Sequence, residues 1–320
     1  MLFVVGIDND VVHIADSEDG VVETYTIEDT IRIAKQVPIK GVNADNIRVY
    51  HFEDIIARDK ILGYESDYCF STENPAGVWL CNMTGATNTY RVSNIITCIS
   101  ERCFSMSAVE RVILPKSVKA IGQGAFRNCR YLREINLDSV ENIGSSAFRD
   151  CEYLGEINLD SVEIIGSDAF CECKSLREVY LPNAVTIGEE AFHTCYNLRR
   201  VIAPWVERIK SSAFENCLHL QEVSIPNATI IDECAFRYCS DLECIVAPKV
   251  SEIEYATFMG CRKLKYAQFD SLNDIGNFAF MDCFALKDIR THDKCSWNPS
   301  SFENCPEELV INKGGSICFL

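Results

Sequence analysis

Phenylalanine recurs along most of this chain at a constant interval of 22 residues. The series has ten members: Phe104, Phe126, Phe148, Phe170, Phe192, Phe214, Phe236, Phe258, Phe280 and Phe302. Nine equal steps in succession are not compatible with chance, and a fixed period of roughly 20–50 residues indicates a repeat architecture. The chain is therefore expected to fold as stacked copies of one short unit.

Other positions keep the same phase and define the unit I-G-x-x-A-F-x-x-C-x-x-L-x-x-I-x-L-x-x-V-x-x. Cysteine recurs every 22 residues from Cys129 to Cys305, leucine from Leu132 to Leu286 and isoleucine from Ile143 to Ile275. The F-x-x-C-x-x-L half places its apolar residues on one side of a helical turn, which predicts a short helix or 3₁₀ segment. The L-x-x-I-x-L half alternates with period two, which predicts a strand with one buried face. Stacking of the units would join these apolar sides into one continuous core.

Residues 109–126, with the sequence VERVILPKSVKAIGQGAF, carry a recognisable signature. They resemble the BspA-like leucine-rich repeats (Treponema-type), whose signature is L-x-x-I-x-L-P-x-x-V-x-x-I-G-x-x-A-F-x-x-C, and the resemblance covers about residues 97–312. It implies an α/β solenoid, that is, a leucine-rich repeat right-handed superhelix with a parallel concave sheet that is used for protein contacts. The family is best known from surface proteins of bacteria and protists.

The repeat phase divides the chain into three predicted parts. Residues 1–96 are predicted to form a small α+β N-terminal domain or cap, residues 97–312 the solenoid of about nine 22-residue repeats, and residues 313–320 a C-terminal cap. In the N-terminal part, strands are predicted at 2–7, 10–14, 21–26, 47–51, 67–71, 77–82 and 89–99, with a helix between Thr26 and Pro38. In the last repeat Trp297 replaces the isoleucine, as is typical of a terminal unit.

The glycine that follows the isoleucine of the unit is not constant. It is present at five repeats but becomes Lys210, Asp232 and Glu254 in others. A position that accepts these side chains is not expected to require a positive φ.

Composition restricts the class of partner and the compartment. Thirty Lys and Arg against 47 Asp and Glu give a net charge of −17, which argues against nucleic acid and anionic membranes as partners. No apolar run reaches the roughly 18 residues of a membrane-spanning helix. The first residues contain no basic side chain, so no secretory signal is predicted. Eighteen cysteines in such a chain are then expected to be reduced in the cytoplasm, with the cell surface, by analogy with the family, as the alternative.

The cysteines and histidines do not form a recognisable catalytic or metal-binding motif. There is no C-x-x-C pair, and Cys171 and Cys173 are separated by one residue. The ladder cysteines are predicted to be core residues, because successive repeats point them in parallel and not at one another. His193 lies two residues from Cys195, but no orienting carboxylate pattern accompanies the pair. The sequence therefore predicts no enzyme activity, no metal site and no cofactor.

The residues that alternate with the buried strand positions are predicted to face the open, concave side. Glu134, Glu156 and Glu178 would stack there, with Arg133, Arg177 and Arg199 nearby to relieve their repulsion. Apolar and aromatic side chains also occupy outward columns, next to charged residues, which is the usual composition of an interface hot spot. The predicted partner-binding residues are Tyr180, Ile202, Trp205, Val246, Tyr266, Arg199, Arg200, Glu178 and Glu222. The alternative for Trp205 is that it is covered locally, against Pro204.

These features favour a cytoplasmic, non-catalytic protein-binding scaffold whose partner is another protein of unknown identity. Two alternatives remain open from the sequence. One is a structural or assembly component that self-associates through the N-terminal domain, and the other is a surface adhesin of the BspA-like type. The oligomeric state and the role of residues 1–96 are not predicted.

Overall fold

The computed structural model describes residues 2–8, 11–16, 22–26, 67–70, 78–81, 83, 86–92, 96–313 and 316–319. The chain divides into two compact units, Met1–Trp79 and Leu80–Leu320. The boundary predicted at residue 96 marks where the repeat consensus begins, and as a statement about domains it stays a prediction.

In the first unit, the described residues include an antiparallel three-stranded sheet and one further strand. The sheet consists of Leu2–Asp8, Val11–Asp16 and Val22–Thr26 in sequential order, and the fourth strand is Asp67–Phe70. These strands lie close to segments that the sequence predicted as extended. The helix predicted between Thr26 and Pro38 and the strand predicted at 47–51 lie outside the described residues.

Strands from the L-x-x-I-x-L half of the repeats line one side of the second unit, and Thr87–Arg91 adds one more upstream of the consensus. We call them the leucine-side strands. They pair in parallel, so that Val179, Val201 and Val223 lie in register. In the short strands, such as Glu178–Tyr180 and Glu222–Ser224, the central residue is buried between two outward residues, as the period predicted. The strands are Thr87–Arg91, Ala108–Ile113, Glu134–Ile135, Glu178–Tyr180, Arg200–Ile202, Glu222–Ser224, Cys244–Val246, Tyr266–Gln268, Asp288–Thr291 and Val310–Lys313.

A second parallel ladder, which the sequence did not predict, runs through the isoleucine of each unit, and we call its members the isoleucine-side strands. The strands from Cys98–Ile99 to Asp274–Ile275 each contribute one buried isoleucine, such as Ile143, which lies in register with Ile121 and Ile165. Leu80 and Trp297 take its place in the first and the last strand. The strands are Val78–Cys81, Cys98–Ile99, Ala120–Ile121, Asn142–Ile143, Ile164–Ile165, Thr186–Ile187, Arg208–Ile209, Ile230–Ile231, Glu252–Ile253, Asp274–Ile275 and Ser296–Trp297.

The F-x-x-C-x-x-L half of each unit is a run of tight turns, so the predicted helical segments are wrong for nearly every repeat. Within the described residues, the one helical piece is the 3₁₀ helix Pro299–Phe302. Cys129 donates its N–H to the carbonyl of Phe126, three residues back, at 3.0 Å, whereas Phe126 donates to Ala147 of the next repeat at 2.7 Å. The two kinds of hydrogen bond alternate along the turns, and this satisfies the backbone both within and between repeats.

Left-handed backbone at two positions in each repeat makes these turns possible. Residues two before and two after the ladder phenylalanine have positive φ, as at Ser146 (54°) and Asp150 (62°) around Phe148. The glycine that follows the isoleucine is not among them, which confirms the expectation that it does not need a positive φ. Among the described glycines only Gly124 and Gly260 adopt it.

The core of the second unit is a column of stacked phenylalanine rings bordered by thiols. From Phe104 to Phe302 the centroids of neighbouring rings are 4.8–5.5 Å apart, and their planes lie within 11° of parallel. Each ladder thiol donates to the carbonyl of the phenylalanine 25 residues earlier, at 2.9–3.2 Å. The ladder cysteines are thus core residues, as predicted, and they also satisfy a backbone acceptor.

The repeat pattern changes at both ends of the second unit. Upstream of the consensus, Thr87–Arg91 adds a parallel strand, and Tyr90 packs its ring edge-on against Phe104 with centroids 5.3 Å apart. Downstream, Trp297 takes the place of the isoleucine and contacts Phe302. The parallel ladder then ends in an antiparallel pair of strands, Val310–Lys313 and Ser316–Phe319. A solenoid with a parallel sheet, as predicted, is therefore confirmed.

Candidate functional site

The outward side chains of three leucine-side strands form a charged row. Glu178, Arg200 and Glu222 lie side by side in the parallel register. Arg200 Nε donates to Glu222 Oε2 at 2.7 Å, and both side chains are about half exposed. These hydrogen bonds and charges raise the pKa of Arg200. The row alternates in sign, so it is a polar surface that can pair with charges of either sign.

The glutamates that the sequence placed in one stack are neutralised differently from the prediction. Glu134 forms an ion pair with Arg111 of the adjacent strand, and Glu178 lies next to Arg200. Arg133, one of the arginines predicted to relieve the repulsion, lies instead 4.8 Å above the ring of Tyr153. The partners come from the neighbouring strand because residues opposite each other across a parallel pair lie closest.

Apolar side chains lie beside this charged row. Tyr180 is half exposed and lies in register with Ile202, which is partly buried. Trp205 follows in the same repeat with 63% of its surface exposed. None of the described aromatic rings stacks on it, and its exposure does not favour the alternative of a tryptophan covered by Pro204. We call Tyr180, Ile202 and Trp205 the aromatic patch.

Val246 and Tyr266, which the sequence grouped with these residues, lie farther along the stack. The strand of Tyr266 is four positions from that of Tyr180, which corresponds to about 19 Å at the usual strand spacing. Tyr266 is also held in a polar network, because its hydroxyl donates to Gln268 Oε1 at 2.8 Å and Gln268 donates to Asp270. Burial raises the pKa of this tyrosine. Val246 is 41% exposed and lies in register with Gln268.

The isoleucine-side strands present an apolar surface that the sequence analysis missed. Ile164 and Val185 are 59% and 48% exposed, and they line a shallow cavity of about 430 Å³ together with Gly166 and Gly188. The signal was available in the sequence, because the residue before each core isoleucine is Ala120, Asn142, Ile164, Thr186, Arg208 and Ile230 in successive repeats. Two of these six outward residues, Ile164 and Ile230, are isoleucine, where the other repeats have smaller or polar side chains.

The structure separates the cysteine–histidine pair that the sequence considered and brings another together. Cys195 is buried and donates to the carbonyl of Phe170. His193 Nδ1 instead lies 3.8 Å from Sγ of Cys171, one repeat earlier. Glu190 joins them, and one ligand atom from each of the three residues lies within 4.8 Å of the others. Burial raises the pKa of the Cys171 thiol to about 12, so this thiol is protonated at neutral pH and is a poor nucleophile.

This cluster arises because equivalent positions of neighbouring repeats are adjacent in space. The residues one after the ladder phenylalanine are Arg127, Arg149, Cys171, His193, Glu215 and Arg237. Aligning the repeats and comparing these equivalent positions would have identified Cys171 as a neighbour of His193.

The comparison with protein families decides how this solenoid is classified. The profile of the BspA type leucine-rich repeat region matches residues 97–206 and 185–308, with six copies of the repeat. The chain belongs to the BspA-type leucine-rich repeat family. Within the described residues of this BspA-type protein, no helix has the length and apolar character to cross a membrane.

Two solved structures support the same fold, and the chain is also similar to a third. A leucine-rich repeat protein from T. pallidum is 29% identical, with 55% of this chain and 87% of that chain covered, and its TM-score is 0.52. A leucine-rich repeat protein from Bacteroides ovatus is 21% identical over 78% of this chain and 77% of that one, with a TM-score of 0.51. A leucine-rich cell surface protein from Faecalibacterium prausnitzii is 21% identical over 78% and 93% of the two chains, with a TM-score of 0.45. No curated protein matches the sequence significantly.

Proposed function

We propose that this BspA-type protein is a non-catalytic scaffold that binds another protein through its leucine-side face, with the aromatic patch as the centre of the interface. The observation that carries the proposal is the exposure of Trp205, at 63%, on a rigid, hydrogen-bonded stack of repeats. Exposed aromatic residues are costly to leave in water and are the residue types most enriched in binding hot spots.

The surroundings of the patch have the chemistry of an interface rim. Arg200 and Glu222 are paired and exposed next to Ile202, so a partner can bury the apolar residues while the charged pair stays at the hydrated edge. The row offers two carboxylates and one guanidinium, and the whole chain carries a net charge of −17. A partner with a basic surface around an apolar pocket fits this face best.

The proposal is tested by comparing variants in cross-linked pull-downs from the organism that produces the chain. The Trp205→Ala/Tyr180→Ala double variant is expected to bind the captured partner at least about fivefold more weakly, that is, by more than about 1 kcal/mol. Tyr131→Ala/Tyr153→Ala is the matched control, because these two tyrosines are also exposed but stack on each other elsewhere on the solenoid. Urea denaturation of both variants would verify that the fold is intact.

If the double variant and the native chain bound the captured partner with equal affinity, the aromatic patch would not be the centre of the interface. A chain that forms oligomers in light scattering and captures only itself would favour the alternative of a structural assembly component. An adhesin of the BspA-like type would instead be recovered from the cell surface. Within the proposal the protein has no catalytic role, which agrees with the burial of Cys195 away from His193.

The compartment is part of the same proposal. The fifteen cysteines that the structure describes all have free thiols, and unpaired thiols in this number are typical of a reducing compartment. We therefore place the protein in the cytoplasm. Recovery of the native chain in the surface fraction with these thiols oxidised would contradict that placement.

A further inference from the structure

One side-chain cluster on the turn side of the repeats is not explained by packing or by protein binding. Cys171, Glu190 and His193 bring together a thiol, a carboxylate and an imidazole from two neighbouring repeats. Cys171 is not a ladder cysteine, and its thiol contacts His193 rather than a backbone carbonyl. It is buried, whereas Glu190 and His193 are partly exposed above it.

The turn geometry fixes the three residues relative to one another. His193 donates its backbone N–H to the carbonyl of Glu190 at 3.0 Å, so their side chains leave one tight turn. Glu190 is held in the left-handed region, with φ at 52°, and donates to Ser211 of the next repeat at 3.0 Å. Cys171 occupies the position of His193 one repeat earlier. The site therefore sits on hydrogen-bonded backbone and needs only side-chain adjustment to bind a ligand.

The preceding repeat has a different pair of side chains at the positions of Cys171 and Glu190. There Arg149 and Asp168 form an ion pair, and they are the equivalents of Cys171 and Glu190. One repeat later the arginine is replaced by cysteine, and no described lysine or arginine forms an ion pair with Glu190. The Glu190 carboxylate thus faces a thiol and an imidazole, with the Arg149 guanidinium of the preceding repeat nearby.

We infer that Cys171, Glu190 and His193 form a binding site for a divalent transition-metal cation, for which Zn²⁺ is the best fit. Sulfur, nitrogen and oxygen donors from Cys, His and Glu are the ligands that Zn²⁺ accepts, and three protein ligands leave its fourth position to water. Ligand atoms around tetrahedral Zn²⁺ are about 3.5 Å apart. The Sγ–Nδ1 distance is 3.8 Å, and the other separations are within 4.8 Å, so shifts of about 1 Å would close the site.

The charges and hydrogen bonds around the cluster are compatible with this assignment. Arg149 lies close enough to act electrostatically on Cys171 and Glu190, but it also forms ion pairs with Asp168 and Asp150. Lys174 pairs with Glu172, so with Glu190 the carboxylates around the cluster outnumber the cations. When Zn²⁺ binds, the Cys171 thiol loses its proton to solvent and a Zn–S bond forms. The hydroxyl of Thr194, now 3.0 Å from His193 Nδ1, must rotate away from that nitrogen.

The test measures Zn²⁺ binding to the full-length, chelator-treated and reduced chain, by titration against a chromogenic competitor. Three variants each remove one ligand: Cys171→Ser, Glu190→Gln and His193→Ala. Loss of an outer-shell partner already weakens metal binding roughly 10–100-fold, so each variant is expected to bind at least about tenfold more weakly or to lose one equivalent of Zn²⁺. Co²⁺ loading should give a thiolate-to-metal absorption band that Cys171→Ser abolishes.

Matched controls separate this site from adventitious binding. Cys244→Ser removes an exposed thiol, and His219→Ala removes an exposed imidazole that already pairs with Asp241. Both are expected to bind Zn²⁺ like the native chain. If Cys171→Ser unfolds, the partly exposed Glu190 and His193 still decide the result. A native chain that retains no Zn²⁺ against the competitor would overturn the inference, as would equal binding by the Glu190→Gln and His193→Ala variants.

Discussion

At the scale of single residues, the fold depends on side chains that occupy strained backbone positions. Non-glycine residues in the left-handed region cost on the order of 1–3 kcal/mol each, and most repeats contain two. The strain is offset because these residues donate hydrogen bonds to the next repeat, as Asp150 does to the carbonyl of Cys171 at 2.9 Å. Asn and Asp recur there because they tolerate this conformation better than other residues.

Substitution of a ladder phenylalanine is expected to reduce the free energy of unfolding more than substitution of an exposed residue. Phe192 is fully buried between Phe170 and Phe214, with ring centroids 5.3 Å away on both sides. Phe192→Ala is expected to lower the free energy of unfolding by about 3–5 kcal/mol, because it removes a ring and leaves a cavity in a packed column. Urea denaturation measures the change.

Tyr196→Ala serves as the control for this prediction, since it removes an aromatic side chain from the same repeat at a position that is 38% exposed. It should change the free energy of unfolding by less than about 0.5 kcal/mol. Similar losses in the two variants would show that Phe192 is not buried in the way the structure describes.

At the scale of the repeat, close contact between isoleucine-side turns explains the run of glycines that ends at Gly188. A Cβ added to Gly188 would lie 2.5 Å from the carbonyl carbon and oxygen of Gly166 in the preceding turn. Where Lys210 replaces the glycine, its N–H donates to Ile187 at 3.1 Å, compared with 2.8 Å for Gly166 to Ile143. The turns are thus slightly farther apart at Lys210, whereas at Asp232 the corresponding distance is 2.9 Å.

Gly188→Ala is therefore expected to destabilise the solenoid by about 1–3 kcal/mol through steric overlap. Position 210, one repeat later, already carries a side chain and so accommodates a Cβ. Lys210→Ala should therefore change the free energy of unfolding by less than about 0.5 kcal/mol. Thermal and urea denaturation of the two variants provide the comparison. If both variants were equally stable, close packing of the turns would not be the reason that glycine occupies these positions.

Sequence reasoning predicted the buried columns of each repeat but not the backbone that carries them. The period of 22 places Phe, Cys and Leu in the core whatever their local conformation, so that part of the fold was predictable. The spacing i, i+3, i+6 fits a helix and a series of three-residue turns equally well. What distinguishes them here is positive φ at residues such as Thr194 and Glu172, which carry no glycine signal.

The second ladder and the candidate sites were harder to predict for a related reason. An isoleucine-side strand has two residues in most repeats, so no alternation of period two can appear in the sequence. The Cys171–His193 pair is 22 residues apart and becomes visible only when repeats are aligned in columns. The charged row was anticipated as a set of residues, but its pairing of Arg200 with Glu222 depends on strand register.

At the scale of the whole second unit, one continuous column of rings and thiols explains why a long, acidic chain can fold with little helix. Each repeat contacts its neighbours, and both ladders satisfy the backbone between turns. The aromatic patch and the partly exposed Glu190 and His193 lie at positions outside this column.

The burial of the phenylalanine and cysteine column is tested most directly by labelling thiols in the native chain and locating the labelled residues by mass spectrometry. Burial raises the pKa of ladder thiols such as Cys217 and Cys261 well above the ordinary range, and their thiolates are scarce at pH 8. The eight ladder thiols from Cys129 to Cys283 are expected to react only as the chain unfolds, whereas the exposed Cys244 reacts at once. Labelling of the ladder thiols in the native chain as fast as Cys244 would contradict the account.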